Sequence, residues 1–211
     1  MDWANIIRKE AERSAILRSD QLAHKYHIVK PSVTQALARQ ESRGLVNHIS
    51  KTLYFNLLAH SSQRELVNEL RHKSYISLES ALYEYGLSTQ SPRAITCVTT
   101  ERPREFKGNS FHLIYRGIAE SLYWGFVKKA TRYGSYNIAE PEKALLDWIY
   151  LSLQNGIEPA LDEIEFGQVD RLKLVEYAKR YPSTVNKHLL PELASNMIGV
   201  LSLGRAGDIR R

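Results

Sequence analysis

The chain has 211 residues, of which 43% are hydrophobic and 25% are charged. This balance is typical of a folded globular protein and excludes a disordered, collagen-like or disulfide-rich chain. Its single cysteine, Cys97, excludes an intramolecular disulfide and any site built from several thiolates. No apolar run reaches the roughly 20 residues of a membrane-spanning helix, and the charged N-terminus lacks the apolar core of a signal peptide. We therefore expect a cytoplasmic protein with no membrane partner.

The net charge of +6 is concentrated in two stretches of the chain. Residues 1–60 carry nine Lys and Arg against five Asp and Glu, and residues 90–136 carry eight against three. The remaining segments are slightly acidic. This distribution is compatible with a polyanionic partner, although surface Lys and Arg are also common in proteins that have none.

Residues 1–58 are predicted to form a compact unit of helices and a hairpin, which either binds DNA or only mediates protein contacts. Apolar spacing predicts a helix over 2–15 and a short helix over 20–26 that Ser19 caps. A third helix is predicted over 31–43, because proline is favoured at the first helical position and Gly44 is a suitable end. Its inward face is predicted to consist of Val33, Ala36, Leu37 and Gln40. Two alternating runs around Ser50-Lys51-Thr52 predict the hairpin.

The rest of the chain is predicted to be a linker helix over 59–72 and a mixed domain over 73–211. In chain order the pattern predicts a helix over 78–85 that Ser77 caps and Gly86 ends, strands over 95–99, 111–115 and 122–126, a helix from 138, and a largely helical remainder over 158–203. The predicted fold class is therefore α+β, with an N-terminal winged helix-turn-helix followed by a mixed α/β domain.

Three segments carry a resemblance to a known family. They are YISLESALYEYGL (75–87), the strand ITCVTT (95–100) with a basic loop behind it, and NIAEPEKALLDWIYL (137–151). Together with the predicted winged helix, whose apolar positions match that family over 17–55, they resemble the AbiEi-type antitoxins over roughly residues 15–152. These antitoxins are transcriptional regulators of abortive-infection toxin–antitoxin pairs.

The resemblance implies two activities. The winged helix would bind inverted repeats in its own promoter and repress transcription. The C-terminal domain would counteract a nucleotidyltransferase-like toxin without a stable complex.

No metalloprotease, P-loop or hydrolase motif is present in the sequence, so we expect neither an enzyme nor a cofactor. Gly134-Ser135 lacks the paired aspartates of a nucleotidyltransferase, so the chain is not itself the toxin.

Candidate DNA contacts lie on the outer face of the third helix and on the hairpin. Gln35 suits adenine and Arg39 suits guanine, whereas Lys30, Arg43 and Lys51 suit phosphates. The full candidate set is Lys30, Ser32, Thr34, Gln35, Arg39, Arg43, His48 and Lys51. The alternative interpretation of these residues is a solvated polar face and an ordinary hairpin tip.

A second candidate surface, for toxin neutralisation, consists of cations in the second half: Arg93, Arg102, Arg104, Lys107, Lys128, Lys129 and Arg132. Their alternative interpretation is the charged outer rim of a sheet whose interleaved aromatics point inward. The acidic and basic groups of the helix from 138, which are Glu140, Glu142, Lys143 and Asp147, are interpreted as helix capping and an internal ion pair rather than as an active site.

Two other functions remain open at this point. One is a winged-helix regulator whose C-terminal domain senses a ligand or forms a dimer, with no toxin partner. The other is an enzyme with an unrecognised site.

Overall fold

The computed structural model describes residues 1–59 and 62–191. Within them the chain combines helices with two sheets, one of three strands and one of six. This arrangement confirms the predicted α+β class. None of the described helices is both long enough and apolar enough to span a membrane.

The N-terminal unit places a small sheet against three helices. Its elements are α1 (Trp3–Ala11), β1 (Ile16–Arg18), α2 (Ser19–Lys25), α3 (Lys30–Glu41), β2 (Val46–Ser50) and β3 (Leu53–Asn56). β3 lies between β1 and β2 and is antiparallel to both. The apolar core of the unit consists of Ile7, Leu17, Leu22, Val33, Leu37, Val46 and Tyr54. The three helices and the hairpin are therefore confirmed, whereas the three-residue strand β1 is too short to show an alternating pattern in the sequence.

The predicted cap of α2 is wrong. Ser19 is the first helical residue, Arg18 occupies the cap position, and the Ser19 hydroxyl is buried without a hydrogen-bond partner. The backbone N–H of Ser19 instead donates to the carbonyl oxygen of Thr52 at the hairpin turn, at 2.9 Å. Pairing of β1 with β3 extends the chain as far as Arg18, and this tertiary contact sets where the helix begins.

The predicted linker helix is not a single helix. Of its residues 59–72, positions 60 and 61 lie outside the described part. The remainder forms a 3-10 turn over Gln63–Glu65 and a short helix, α4 (Leu66–Leu70). Leu66 and Val67 have no exposed surface and belong to the larger of the two apolar clusters that the described residues form. This segment is therefore part of the core of the second half.

The second half is built on the six-stranded sheet. Its elements are β4 (Ser74–Ile76), α5 (Leu78–Glu84), β5 (Ile95–Thr99), β6 (Arg104–Lys107), β7 (His112–Gly117), β8 (Phe126–Ala130), β9 (Ser135–Ala139), α6 (Pro141–Gln154) and α7 (Arg171–Ala178). The strand order is β6-β7-β5-β4-β9-β8. β5 is parallel to β7 and β4 is parallel to β9, and the other neighbours are antiparallel. The edge strands are thus β6 and β8.

Several boundaries differ from the prediction. The predicted strand over 122–126 is a 3-10 turn, Glu120–Leu122, followed by a bend, and β8 begins only at Phe126. Ile138 and Ala139 belong to β9, and α6 begins at Pro141. The remainder over 158–203 contains 3-10 turns before α7 and helical residues over 183–191, and its positions 192–203 lie outside the described residues.

The two halves meet in one apolar cluster, which is separate from the core of the N-terminal unit. Ala15 and Phe55 from the N-terminal unit belong to this cluster together with Leu66 and Tyr75 of the second half. Polar contacts reinforce this junction: the Arg18 guanidinium pairs with Glu69, and the Asn47 amide donates to the hydroxyl of Ser110. The N-terminal unit is therefore packed against the sheet. The division at 58 and 72 stays a prediction.

Candidate nucleic-acid interface

Helix α3 presents one buried and one exposed face. Val33, Ala36, Leu37 and Gln40 are buried, as the spacing predicts. Pro31 lies in the first turn, where its missing N–H has no helical partner to lose. After the helix, Gly44 adopts φ +72°, and the N–H of Leu45 donates to the carbonyl of Gln40 at 3.0 Å. The buried face fixes the rotation of α3, so the opposite face points to solvent.

The turn between α2 and α3 is held by the end of α2. The N–H of Ile28 donates to the carbonyl of Ala23 at 2.9 Å and that of His27 to the carbonyl of His24 at 3.3 Å. This is the Schellman arrangement, in which the residue after the cap takes a left-handed conformation that glycine usually supplies. His27 takes it here, with φ +53°. The turn thereby sets the approach of α3 to α2.

All eight candidate DNA contacts are exposed. On α3 and just after it these are Lys30, Ser32, Thr34, Gln35, Arg39 and Arg43, and on the hairpin they are His48 and Lys51. Gln35 and Arg39 lie four residues apart on α3, and their head groups make no hydrogen bond or ion pair to any described residue. Thr34 differs, because its hydroxyl donates to the carbonyl of Lys30 at 3.2 Å.

The hairpin is anchored to the end of α3. A carboxylate oxygen of Glu41 accepts a hydrogen bond from the N–H of His48 at 2.7 Å. The imidazole of His48 lies 4.9 Å from the ring of Tyr54, centroid to centroid. Pairing of β2 with β3 shifts register between His48 and Ser50, which leaves Lys51 in the turn. His48 is therefore held next to the end of α3, and Lys51 is exposed in the turn of the hairpin.

The candidate cations of the second half do not form one surface. Arg104 and Lys107 lie on edge strand β6 and Arg102 just before it, whereas Lys128 and Lys129 lie on β8 at the opposite edge. Arg132 follows β8, and Arg93 precedes β5. Strand order thus separates residues that are close in the chain. Their role in toxin neutralisation stays a prediction.

Some of these cations also have partners within the protein. The ammonium of Lys129 lies 2.8 Å from Glu84, and the guanidinium of Arg104 lies 4.7 Å from the centre of the Phe106 ring. The aromatic side chains that alternate with these cations in the sequence are buried or half-buried, and Phe111 and Tyr115 lie in the core. Placement on the two sheet edges favours the rim interpretation, since charged side chains protect edge strands from pairing with other chains.

The conspicuous ionisable cluster of α6 is closed to solvent. Lys143 and Asp147 form an ion pair one helical turn apart, and neither has exposed surface. The Asp147 carboxylate also accepts hydrogen bonds from three hydroxyls: Tyr75 at 3.0 Å, Ser77 at 2.8 Å and Tyr181 at 2.7 Å. This confirms the interpretation of an internal ion pair, and no substrate can reach it in this conformation.

Sequence reasoning missed the three hydroxyl partners of this pair. Ser77 was predicted to cap α5, but it makes no capping hydrogen bond and donates to Asp147 instead. Tyr181 lies 34 residues along the chain from Asp147. No local signal in the sequence could have brought these residues together.

Comparison with profiles of known protein families gives no match to this chain. Comparison with curated proteins gives no significant match either. Among residues 1–59 and 62–191, no group of three or more His, Cys, Asp or Glu is arranged to hold a metal ion.

Proposed function

We propose that the protein is a cytoplasmic, non-enzymatic DNA-binding regulator whose N-terminal unit is a winged helix-turn-helix with α3 as its recognition helix. The observation that carries this proposal is the outer face of α3, where Gln35 and Arg39 are exposed and uncommitted beside the cations Lys30 and Arg43. An α-helix fits the major groove of B-form DNA, where an amide can pair with adenine and a guanidinium with guanine.

Element order and charge also support DNA binding. Three helices followed by an antiparallel hairpin present α3 and the hairpin on neighbouring elements, as phosphate and base contacts on one duplex require. The first 60 residues carry an excess of Lys and Arg, which favours association with a polyanion.

The promoter and the antitoxin role rest on the AbiEi resemblance. We propose that the DNA site is an inverted repeat in the protein's own promoter and that binding represses transcription. We further propose that the second half counteracts a nucleotidyltransferase-like toxin without a stable complex.

DNA binding is tested by gel-shift titration of the full chain on its upstream region at two salt concentrations. Several phosphate contacts should make the affinity fall steeply as salt rises. Loss of the base contact in Arg39→Ala should cost about 1–3 kcal/mol on the operator and little on scrambled DNA. Lys51→Ala should weaken binding to both sequences alike. Lys187→Ala, which removes an exposed cation from the far end of the chain, is the matched control.

Equal affinity for operator and scrambled DNA would contradict sequence-specific repression. Equal loss on both sequences in Arg39→Ala would contradict the role of α3 as the base-reading helix. A loss of binding in Lys187→Ala as large as in Lys51→Ala would show that only total charge matters.

The antitoxin role is tested in cells that express the partner toxin. Arg39→Ala should abolish promoter repression and still restore growth, because the two activities are assigned to different halves. The triple change Arg102→Glu, Arg104→Glu and Lys107→Glu tests the β6 edge. It should reduce growth of the cells that express the toxin, and unchanged growth would exclude this edge from toxin neutralisation. An unchanged circular dichroism spectrum is the control for folding. Loss of protection in Arg39→Ala would contradict the division of labour.

A further inference from the structure

A groove of about 410 Å³ opens on the sheet beside α6, remote in sequence from the candidate DNA contacts. Its size falls within the range of small-molecule sites, about 300–1,000 Å³. The indole of Trp148 lines it from α6, Ile114 from β7 and Ile157 from the segment after α6. Ile157 is 60% exposed, so this apolar wall is left uncovered by the described chain.

The charged groups of the groove are mainly cationic. Arg93 and Arg116 are exposed, and neither forms an ion pair with any residue in the described part of the chain. The groove has one carboxylate, that of Glu79, while His112 is already hydrogen-bonded to Glu105 at 2.7 Å. Two uncommitted guanidinium groups beside an apolar wall suit a ligand that is both anionic and flat.

The two arginines lie toward opposite ends of the groove. β5 and β7 are parallel, with Val98 opposite Arg116, and Arg93 precedes the start of β5. A second cavity, of about 390 Å³, shares Arg93 and His112 with the groove. The cationic positions are therefore spread along the groove, so that phosphate groups at different points of one ligand can each meet a guanidinium.

A strained backbone at the groove is an independent sign of function. Leu78, which lines the groove, adopts φ +56°, a left-handed conformation that a bulky side chain rarely takes. The preceding residue is held on both sides: the Ser77 hydroxyl donates to Asp147, and its carbonyl accepts from the Thr96 hydroxyl at 2.9 Å. Backbone strain that persists under such restraint clusters at ligand sites.

We propose that this groove binds a nucleotide, with the base against the Trp148 indole and phosphate groups on Arg93 and Arg116. Aromatic faces accept any base by stacking, and guanidinium forks match phosphate oxygens. The nucleotide is either free in solution or part of a single strand, and both have this chemistry. This inference does not depend on DNA binding by α3.

The proposal is tested by calorimetric titration of the full chain with ATP, adenosine, inorganic triphosphate and a single-stranded adenine pentaribonucleotide. ATP or the pentanucleotide should bind saturably in the micromolar to millimolar range, and adenosine and triphosphate each more weakly. Trp148→Leu should lower the affinity about tenfold, the size expected for loss of one stacked base. Trp148→Phe should retain most of it and is the control for folding of α6.

Arg93→Ala and Arg116→Ala should each weaken binding severalfold, whereas Arg13→Ala removes an exposed arginine outside the groove and should change nothing. Tighter binding of the pentanucleotide than of ATP would assign the groove to a single strand, and the reverse to a free nucleotide. Failure of both to bind, or equal losses in Arg93→Ala and Arg13→Ala, would overturn the proposal. Arg39→Ala, which should weaken only duplex binding, separates this outcome from failure of the DNA-binding proposal.

Discussion

Lys143 and Asp147 place two full charges in the interior of the second half. Burial lowers the pKa of Lys143, and attraction to Asp147 opposes that shift without cancelling it. The Lys143 ammonium is further surrounded by the rings of Tyr75, Trp124 and Tyr181, each with its centre 5.2–5.3 Å away. Desolvation of a buried ion costs several kcal/mol, so the pair persists only because hydroxyls and aromatic rings replace water around it.

Removal of one partner should therefore be costly. We expect Lys143→Met to lower the free energy of unfolding by about 3–5 kcal/mol, because it leaves the Asp147 carboxylate buried without its counter-charge. The measurement is urea denaturation followed by circular dichroism. Lys179→Met breaks an exposed pair with Glu176 and should cost less than about 1 kcal/mol. Equal losses in the two variants would show that the buried pair has no special role.

A second residue-scale prediction concerns the turn before α3. His27 has an exposed side chain and a left-handed backbone, which costs a non-glycine residue about 1 kcal/mol. His27→Gly should therefore leave stability unchanged or raise it. His27→Val should lower stability, because a side chain branched at Cβ raises the energy of the left-handed backbone conformation. Thermal unfolding of the two variants checks the order, and a Val variant at least as stable as the Gly variant would contradict it.

At the scale of elements, the start of α6 is fastened to α7 by carboxylates. Glu140 occupies the cap position of α6 without a side-chain capping hydrogen bond, contrary to the predicted capping role. Its carboxylate instead accepts hydrogen bonds from the Lys173 ammonium at 2.8 Å and the Tyr177 hydroxyl at 2.6 Å. A carboxylate oxygen of Glu142 accepts a hydrogen bond from the backbone N–H of Asp170 at 2.9 Å. Carboxylates at this position also interact favourably with the positive end of the helix dipole. These contacts connect the end of β9, the helix α6 and the following helix into one body.

The contacts of Glu140 with Lys173 and Tyr177 should stabilise the protein less in acid. Burial by itself would raise the pKa of Glu140, but the hydrogen bonds from Lys173 and Tyr177 outweigh it and hold the pKa below its usual value. A carboxyl whose pKa is lower in the folded state stabilises the protein above its unfolded pKa and loses that contribution as the pH falls through its folded pKa. The difference in urea midpoint between wild type and Glu140→Gln should thus be present at neutral pH and shrink below about pH 4. A difference that stays constant over this range would contradict the ionic role.

At the scale of the whole molecule, the halves are not joined by a free linker. Val67 of α4 is fully buried, and its carbonyl accepts a hydrogen bond from the Tyr115 hydroxyl at 2.8 Å. The Asn68 amide donates to the carbonyl of Ser74 at 2.7 Å and thereby holds α4 against β4. We therefore expect an independently folding second half to include α4.

This placement predicts how the chain can be cut. A fragment of residues 62–211 should fold, whereas 72–211 should not, because it lacks Leu66 and Val67 and leaves a cavity over the sheet. Loss of two large buried apolar side chains costs about 2–5 kcal/mol each, comparable with the whole stability of a small domain. The dispersion of amide proton shifts in NMR spectra of the two fragments shows which of them folds. A well-folded 72–211 fragment would support the boundary predicted at 72.

Local regularities of the sequence determined the three N-terminal helices, α5, α6 and the exposed face of α3. Val33, Ala36, Leu37 and Gln40 recur at helical spacing, so the inward face could be read from neighbours in the chain, and with it the positions of Gln35 and Arg39. The hairpin around Lys51 and the central strand β5 carry comparably local patterns. The strands β1, β4 and β6 have three or four residues each and exist only through their pairing partners.

The tertiary structure decided everything that depends on residues distant in the chain. The strand order places Arg104 and Lys128 at opposite edges of the sheet, although both lie in the basic stretch over 90–136. Ser77 occupies the cap position of α5, but its hydroxyl donates to Asp147 instead, because a buried carboxylate needs hydrogen bonds that water cannot supply there. The groove beside Trp148 arises in the same way, since its walls come from β7, α6 and the segment before β5. Spacing along a chain encodes which face of one element is apolar, but not which other element will cover that face.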